Sequence, residues 1–153
     1  MADNASKLMI MSIHPRHIQR ILQGEKTVEL RKTRPAVEAG QPAALYATAP
    51  TSAVVATCVI DRVVVGIPGQ VRSALLGPAR VTAQEYDAYL SGSQQAVAIY
   101  LRDVSVLNEP ITLDHIRQSR AWHPPQTWHF LHPDHLADLV GNHMALSQLQ
   151  IAL

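Results

Sequence analysis

A chain of 153 residues with 47% apolar side chains is long enough for one hydrophobic core and short for two. Its net charge of +1 does not by itself suggest a nucleic-acid partner, and a single cysteine, Cys58, excludes an intrachain disulfide. No apolar run approaches the ~20 residues that a membrane-spanning helix needs, and Met1 to Lys7 lack the basic-then-apolar order of a secretion signal, so the expected address is cytoplasmic with no membrane partner.

Residues 1–7 are polar and are expected to form a disordered tail ahead of a single domain spanning 8–153. Leu8-Met9-Ile10-Met11 reads as a buried strand, and Ser12-Ile13-His14-Pro15 as a helix start, since proline suits the first helical turn. Ile18, Ile21 and Leu22 then fall at helical spacing, while Arg16, His17, Gln19 and Arg20 occupy the other side. Gly24 ends the helix, because it takes the left-handed conformation at little steric cost. From there the period changes to two: Val28 and Leu30 share one face of a strand, and Thr27, Glu29 and Arg31 share the other. Lys26 belongs by parity with Val28, but it sits at the turn, where a long side chain can swing to the polar face. Spacing alone also allows a solvated strand edge, with a Glu29–Arg31 surface pair worth about 0–1 kcal/mol.

Gln41-Pro42 and Gly66-Ile67-Pro68-Gly69 read as turns on either side of a strand, Val54 to Ile60, in which Cys58 is a small buried hydrophobe. Val71 to Leu76 suggests a short helix. Thr82 followed by Glu85 forms a capping-box pattern for another, ending near Gly92. A strand from Ala96 to Leu107 follows, then short helices over Asp114 to Arg120 and Pro133 to Val140. Strands alternating irregularly with small helices suit an α+β fold, a mixed barrel with flanking helices, better than a doubly wound sheet. The apolar stretch Leu146 to Leu153 either closes the core or pairs with a second subunit, which leaves a homodimer open.

Charge is unevenly placed. Residues 1–40 carry seven basic and four acidic side chains, and residues 41–153 carry six and eight. A local basic surface around the first helix and the strand after it would attract phosphates. His129, His132 and His135 recur every third residue, but Pro133 breaks any helix that would align them, so no metal site is expected. Trp122 and Trp128 flank Pro124-Pro125 and either stack on a base or pack into the core.

Gly24-x-Lys26-x-x-Glu29-x-Arg31, directly after a helix of this length, resembles the signature of the ASCH domain family, a branch of the PUA-like β-barrels. Leu45-Tyr46-Ala47-Thr48-Ala49-Pro50, Glu85 to Gly92 and Glu109-Pro110-Ile111-Thr112-Leu113 are similar to later segments of that family. Pro124 to Trp128 resembles a terminal segment of members grouped with predicted transcriptional regulators. The resemblance implies a PUA-like mixed β-barrel that holds RNA or a modified nucleoside in a cleft lined by Lys26, Glu29 and Arg31. Ser12, Tyr46 and Thr48 would complete the wall and Trp128 would stand beside it, with no cofactor. Two functions follow from the resemblance. One is RNA or nucleotide binding, and the other is a small hydrolase in the same cleft, with Lys26 and Glu29 catalytic. The hydrolase would be a ribonuclease or an amidohydrolase acting on N4-acetylcytidine. The family's amidohydrolases carry threonine where this chain has Glu29, so the expected nucleophile is absent here. A second carboxylate of a catalytic set would be Glu85, Asp87 or neither, and the sequence does not choose among these.

Overall fold

Every residue of β1 (Leu8–Ile13) is buried, so both faces of this strand meet a core. In the computed structural model of the chain, which describes residues 6–118, 120–141 and 143–153, β1 belongs to a six-stranded mixed sheet. The other strands are β2 (Val28–Arg31), β3 (Gln41–Ala47), β4 (Ala53–Gly66), β5 (Ala96–Thr112) and β6 (Trp128–Leu131), in the order β2-β5-β4-β3-β1-β6. Only β1 and β3 run parallel; the remaining pairs are antiparallel. The long β4–β5 ladder shifts register at three points, and such irregularities bend a strand pair and increase its twist.

Helices cover both faces. On the inner face Met9, Met11, Ile13, Leu45, Ile60 and Ile99 pack with Ile18 and Ile21 of α1 (Pro15–Leu22). On the outer face Val28, Leu30, Ala96 and Ala98 lie under α2 (Pro68–Ala79) and α3 (Ala83–Leu90), through Leu75, Tyr86 and Leu90. The rest of that face, including Leu8, Ile10, Tyr46 and Ile111, is covered by α4 (Leu113–Arg117), α5 (Leu136–Val140) and α6 (Leu146–Ala152). Of the C-terminal stretch, which read as either closing the core or pairing with a second subunit, Leu149 packs into this core.

The PUA-like α+β reading holds, with one refinement: among the described residues the hydrogen-bond ladder stays open, with β2 and β6 at its ends. The sheet nevertheless curls. Arg31 on β2 reaches the Ser12 carbonyl on β1, four strands away in the sheet order, at 2.7 Å. A side chain therefore bridges where a barrel would have a ladder.

Several boundaries differ from those read in the sequence. The strand expected over Val54 to Ile60 extends to Gly66, and the strand beginning at Ala96 continues through Pro110 to Thr112. Pro68, read as part of a turn, opens α2 at its first position, after Ile67 in extended conformation. The helix expected over Asp114 to Arg120 ends at Arg117, and that over Pro133 to Val140 splits into a 3-10 turn, Pro133–His135, and α5. Residues 1–5 of the expected tail lie outside the described residues. Among those described, no helix is long and apolar enough to cross a membrane. Cys58 is buried in the inner core, and burial pushes its thiol up to about 12.

Candidate active site

The site begins with how the chain leaves α1. Gly24 adopts φ 77°, which an L side chain resists, and the backbone N–H groups of Glu25 and Lys26 both donate to the Arg20 carbonyl. Thr27 is then clamped, donating to the Pro78 carbonyl at 2.9 Å and accepting from the Leu101 N–H at 2.9 Å. With the strand fixed in this way, Val28 and Leu30 turn outward beneath α2 and α3. Glu29, opposite Ile99, and Arg31, opposite Val97, turn to the inner face.

The solvated-edge reading therefore fails. Lys26 is only 2% exposed and Glu29 6%, because the helices cover the face that an isolated strand would show to water. Glu29 lies between two cations: Oε1 is 3.6 Å from Lys26 Nζ and Oε2 is 3.0 Å from Arg31 Nη2. Lys26 has swung from its strand parity, as the turn allows. Its ammonium also donates to the Ala79 carbonyl at the end of α2, at 2.6 Å. Burial, opposed in part by Glu29, holds the Lys26 ammonium below the usual lysine range, which makes it a readier proton donor than a surface lysine.

These three residues open onto a cavity of about 680 Å³. Ser12, Thr48, Pro125 and Gln126 form another part of its lining. Ser12 holds that side together: its hydroxyl donates to the Pro125 carbonyl at 2.6 Å and its backbone N–H to the Thr127 carbonyl at 3.0 Å. Helix α1 contributes Arg16 and His17, preceded by His14, and α3 contributes Glu85, Tyr86 and Tyr89. Arg16 and Glu85 join the two helices at 2.6 Å. The Glu85 carboxyl is pulled down to about 2, first by the Thr82 backbone N–H of the capping box and then by Arg16.

Five of the seven residues expected at the site line this cavity: Ser12, Lys26, Glu29, Arg31 and Thr48. Tyr46 and Trp128 do not. Tyr46 neighbours Ser12 in the β1–β3 register, but its ring meets Trp122 edge-on in the outer core, with 5.9 Å between centroids. Trp128 packs on the inner core, its ring 5.8 Å from the Arg31 guanidinium, so it supports a site residue rather than facing the cavity. Of the two carboxylate candidates Glu85 is in the lining, whereas Asp87 pairs with Arg72. Arg16, His17 and Tyr89 were not foreseen. The polar side of α1 read as part of a basic surface that attracts phosphates, and the Arg16–Glu85 bridge to α3 that brings part of it into the cavity lining has no local signal. The three histidines at triplet spacing do not converge on one point: His129 meets Trp122, while His132 caps the turn through the Asp134 N–H and lies 5.9 Å, ring to ring, from His135. Among the described residues no group of three His, Cys, Asp or Glu is arranged to hold a metal.

A curled mixed sheet with helices on both faces defines a PUA-like α+β domain, and this one carries a Lys–Glu–Arg cluster at an open cavity. No protein-family profile matches the chain. An ASCH domain-containing ribonuclease of Zymomonas mobilis subsp. mobilis is 30% identical to it over 136 residues, covering 88% of this chain and 91% of the relative. The crystal structure of ASCH from Zymomonas mobilis aligns with a TM-score of 0.78 at 26% identity, over 99% of this chain and 96% of that one. A tyrosine-to-phenylalanine variant of ZmASCH aligns at 0.77 and 26%, over 96% and 98%. The chain belongs to the ASCH domain family.

Proposed function

We propose that this protein binds RNA in the Lys26–Glu29–Arg31 cleft and cleaves its phosphodiester backbone there. The observation that carries the reading is a buried carboxylate holding two cations in the lining of a cavity large enough for a nucleotide. Lys26 and Arg31 are placed to oppose the negative charge that grows on the phosphoryl oxygens during cleavage. Glu29 keeps both cations in position, so they need not reorganise as the reaction proceeds. Tyr89, 41% exposed in the lining, offers a ring on which a base can stack.

RNA binding without turnover was the first expectation from the sequence. The ribonuclease named among the relatives favours cleavage. Deacetylation of a modified nucleoside is the weaker reading, since Glu29 is locked between cations where the family's amidohydrolases have a threonine nucleophile. We read the working compartment as the cytoplasm.

Incubation of the purified protein with a mixed RNA pool and with N4-acetylcytidine, with and without Mg²⁺, tests this. Cleaved RNA from the wild type but not from Glu29→Gln is the expected result. RNA retained but uncleaved would make the protein a reader of RNA, and acetate release from the nucleoside would make it an amidohydrolase.

A further inference from the structure

Cleavage of RNA at its own 2′-hydroxyl needs a base, and the cavity lining narrows the choice. Both oxygens of Glu29 face cations, so taking up a proton would break two ion pairs inside a buried site. Glu85 is bound by Arg16 and by the Thr82 backbone. His14 uses its Nδ1 lone pair to accept the Arg16 backbone N–H as the cap of α1, which leaves a hydrogen on its other nitrogen. Tyr86 donates its hydroxyl to the Pro68 carbonyl.

His17 is the remaining imidazole of the lining. Its Nε2 lies 3.5 Å from Arg16 Nη2, and a guanidinium can only donate, so this nitrogen is on the accepting side and Nδ1 carries the hydrogen; Arg16 Nη2 gives its short bond, 2.6 Å, to Glu85, and the long contact to Nε2 leaves that lone pair open to a 2′-hydroxyl. Nδ1 is buried and has no partner among the described residues. A buried imidazole nitrogen left unpaired is costly and adds nothing to the packing of α1, which rests on Ile18 and Ile21. With no acceptor for Nδ1–H, the imidazolium also lacks the carboxylate that would normally stabilise it.

We infer that His17 is a catalytic residue, the proton acceptor for a 2′-hydroxyl in an RNA bound at the Lys26–Glu29–Arg31 cluster; this rests on the ribonuclease reading. Nε2 takes the 2′-proton as the 2′-oxygen forms a bond to phosphorus. The P–O5′ bond breaks, and its electron pair leaves with the 5′-oxygen. Water protonates that oxygen, and the hydroxide so formed removes the proton from His17. The products are a 2′,3′-cyclic phosphate and a 5′-hydroxyl. Burial first, then Lys26, Arg16 and His14, hold the imidazole below its usual value, while Glu29 acts in the opposite sense. Arg31 of β2 and Glu85, Tyr86 and Tyr89 of α3 complete the charged and titratable groups of the lining. A neutral base at neutral pH is the form the step requires.

The test compares wild type with His17→Gln on an RNA oligonucleotide, with product ends identified by mass and rates followed from pH 5 to 8. The inference predicts a cyclic phosphate end and a fall in cleavage of ~100-fold or more in the variant. RNA affinity should change by less than about threefold, since one exposed-side imidazole adds little charge. The acid limb of the wild-type profile should be absent from the residual activity, and added imidazole should restore part of the rate to His17→Ala. Unchanged cleavage and pH profile in His17→Gln, or products ending in 5′-phosphate, would overturn the role of His17 while leaving the ribonuclease reading intact. No cleavage by the wild type would overturn that reading and the inference with it.

Discussion

Lys26 Nζ lies 2.6 Å from the carbonyl oxygen of Ala79, the last residue of α2, 53 positions along the chain. The negative end of a helix thus faces an ammonium that Glu29 also attracts, and the two together allow a lysine to be buried. Removing the ammonium leaves Glu29 and a helix end short of a donor. Lys26→Met should therefore cost about 3–5 kcal/mol of stability, measured as a shift in the urea midpoint. Adding Glu29→Gln to that variant should cost less than it does alone, because the pair acts as a unit.

Thr82 holds α3 in the cavity lining. Its hydroxyl accepts the Glu85 backbone N–H while the Glu85 carboxylate accepts the Thr82 N–H. Thr82→Ala should lower stability by about 0.5–2 kcal/mol in the same urea experiment. Because Glu85 also binds Arg16, the substitution should loosen the contact between α1 and α3. Faster amide hydrogen exchange at the start of α3 would report it.

The thiol of Cys58, pushed up to about 12 by burial, should be unreactive in the native protein. Ellman's reagent is expected to label it only at the rate of global unfolding and within seconds in denaturant. Rapid labelling under native conditions would show that the inner core opens at β4.

Two histidines give stability a pH dependence of known sign. Burial lowers both His17 and His129 below 6.5, so the unfolded chain takes up protons before the folded one does as the pH falls. Their contribution is full above 6.5 and is lost as the pH drops from there through each lowered value. Thermal unfolding should therefore give a lower Tm at pH 5.5 than at pH 7.5, and His129→Gln should reduce the difference. Glu85 has the carboxylate pattern: its contribution is present above 4.5 and is lost on the way down to about 2.

Much of the site was legible because it is local. Gly24, the change of period after it and the alternation of Val28 with Glu29 and Leu30 with Arg31 fix which side chains project together. Burial of that cluster was not legible, because it depends on α2, whose last residue meets Lys26 from 53 positions along the chain, a contact no local pattern encodes. Tyr46 shows another limit. Its shared parity with Thr48 holds only within a continuous strand, and β3 ends at Ala47 after a register shift at Leu45/Tyr46. The ring faces the outer core while Thr48 lines the cavity. Closure of the sheet by Arg31 and Ser12, rather than by backbone pairing, likewise depends on curvature that accumulates over four strands.

The most direct test of the central claim is RNA affinity as a function of salt, measured with a 2′-O-methyl oligonucleotide that cannot undergo attack by its own 2′-oxygen. Wild type, Arg31→Gln and Arg62→Gln would be compared, Arg62 being an exposed arginine of β4 paired with Asp61. If RNA lies in the cleft, Arg31→Gln binds more weakly and its log–log salt slope falls by about 0.7, the share of one single-strand phosphate, while Arg62→Gln matches wild type. Equal slopes for wild type and Arg31→Gln, or an equal loss in Arg62→Gln, would place the RNA elsewhere and contradict the account.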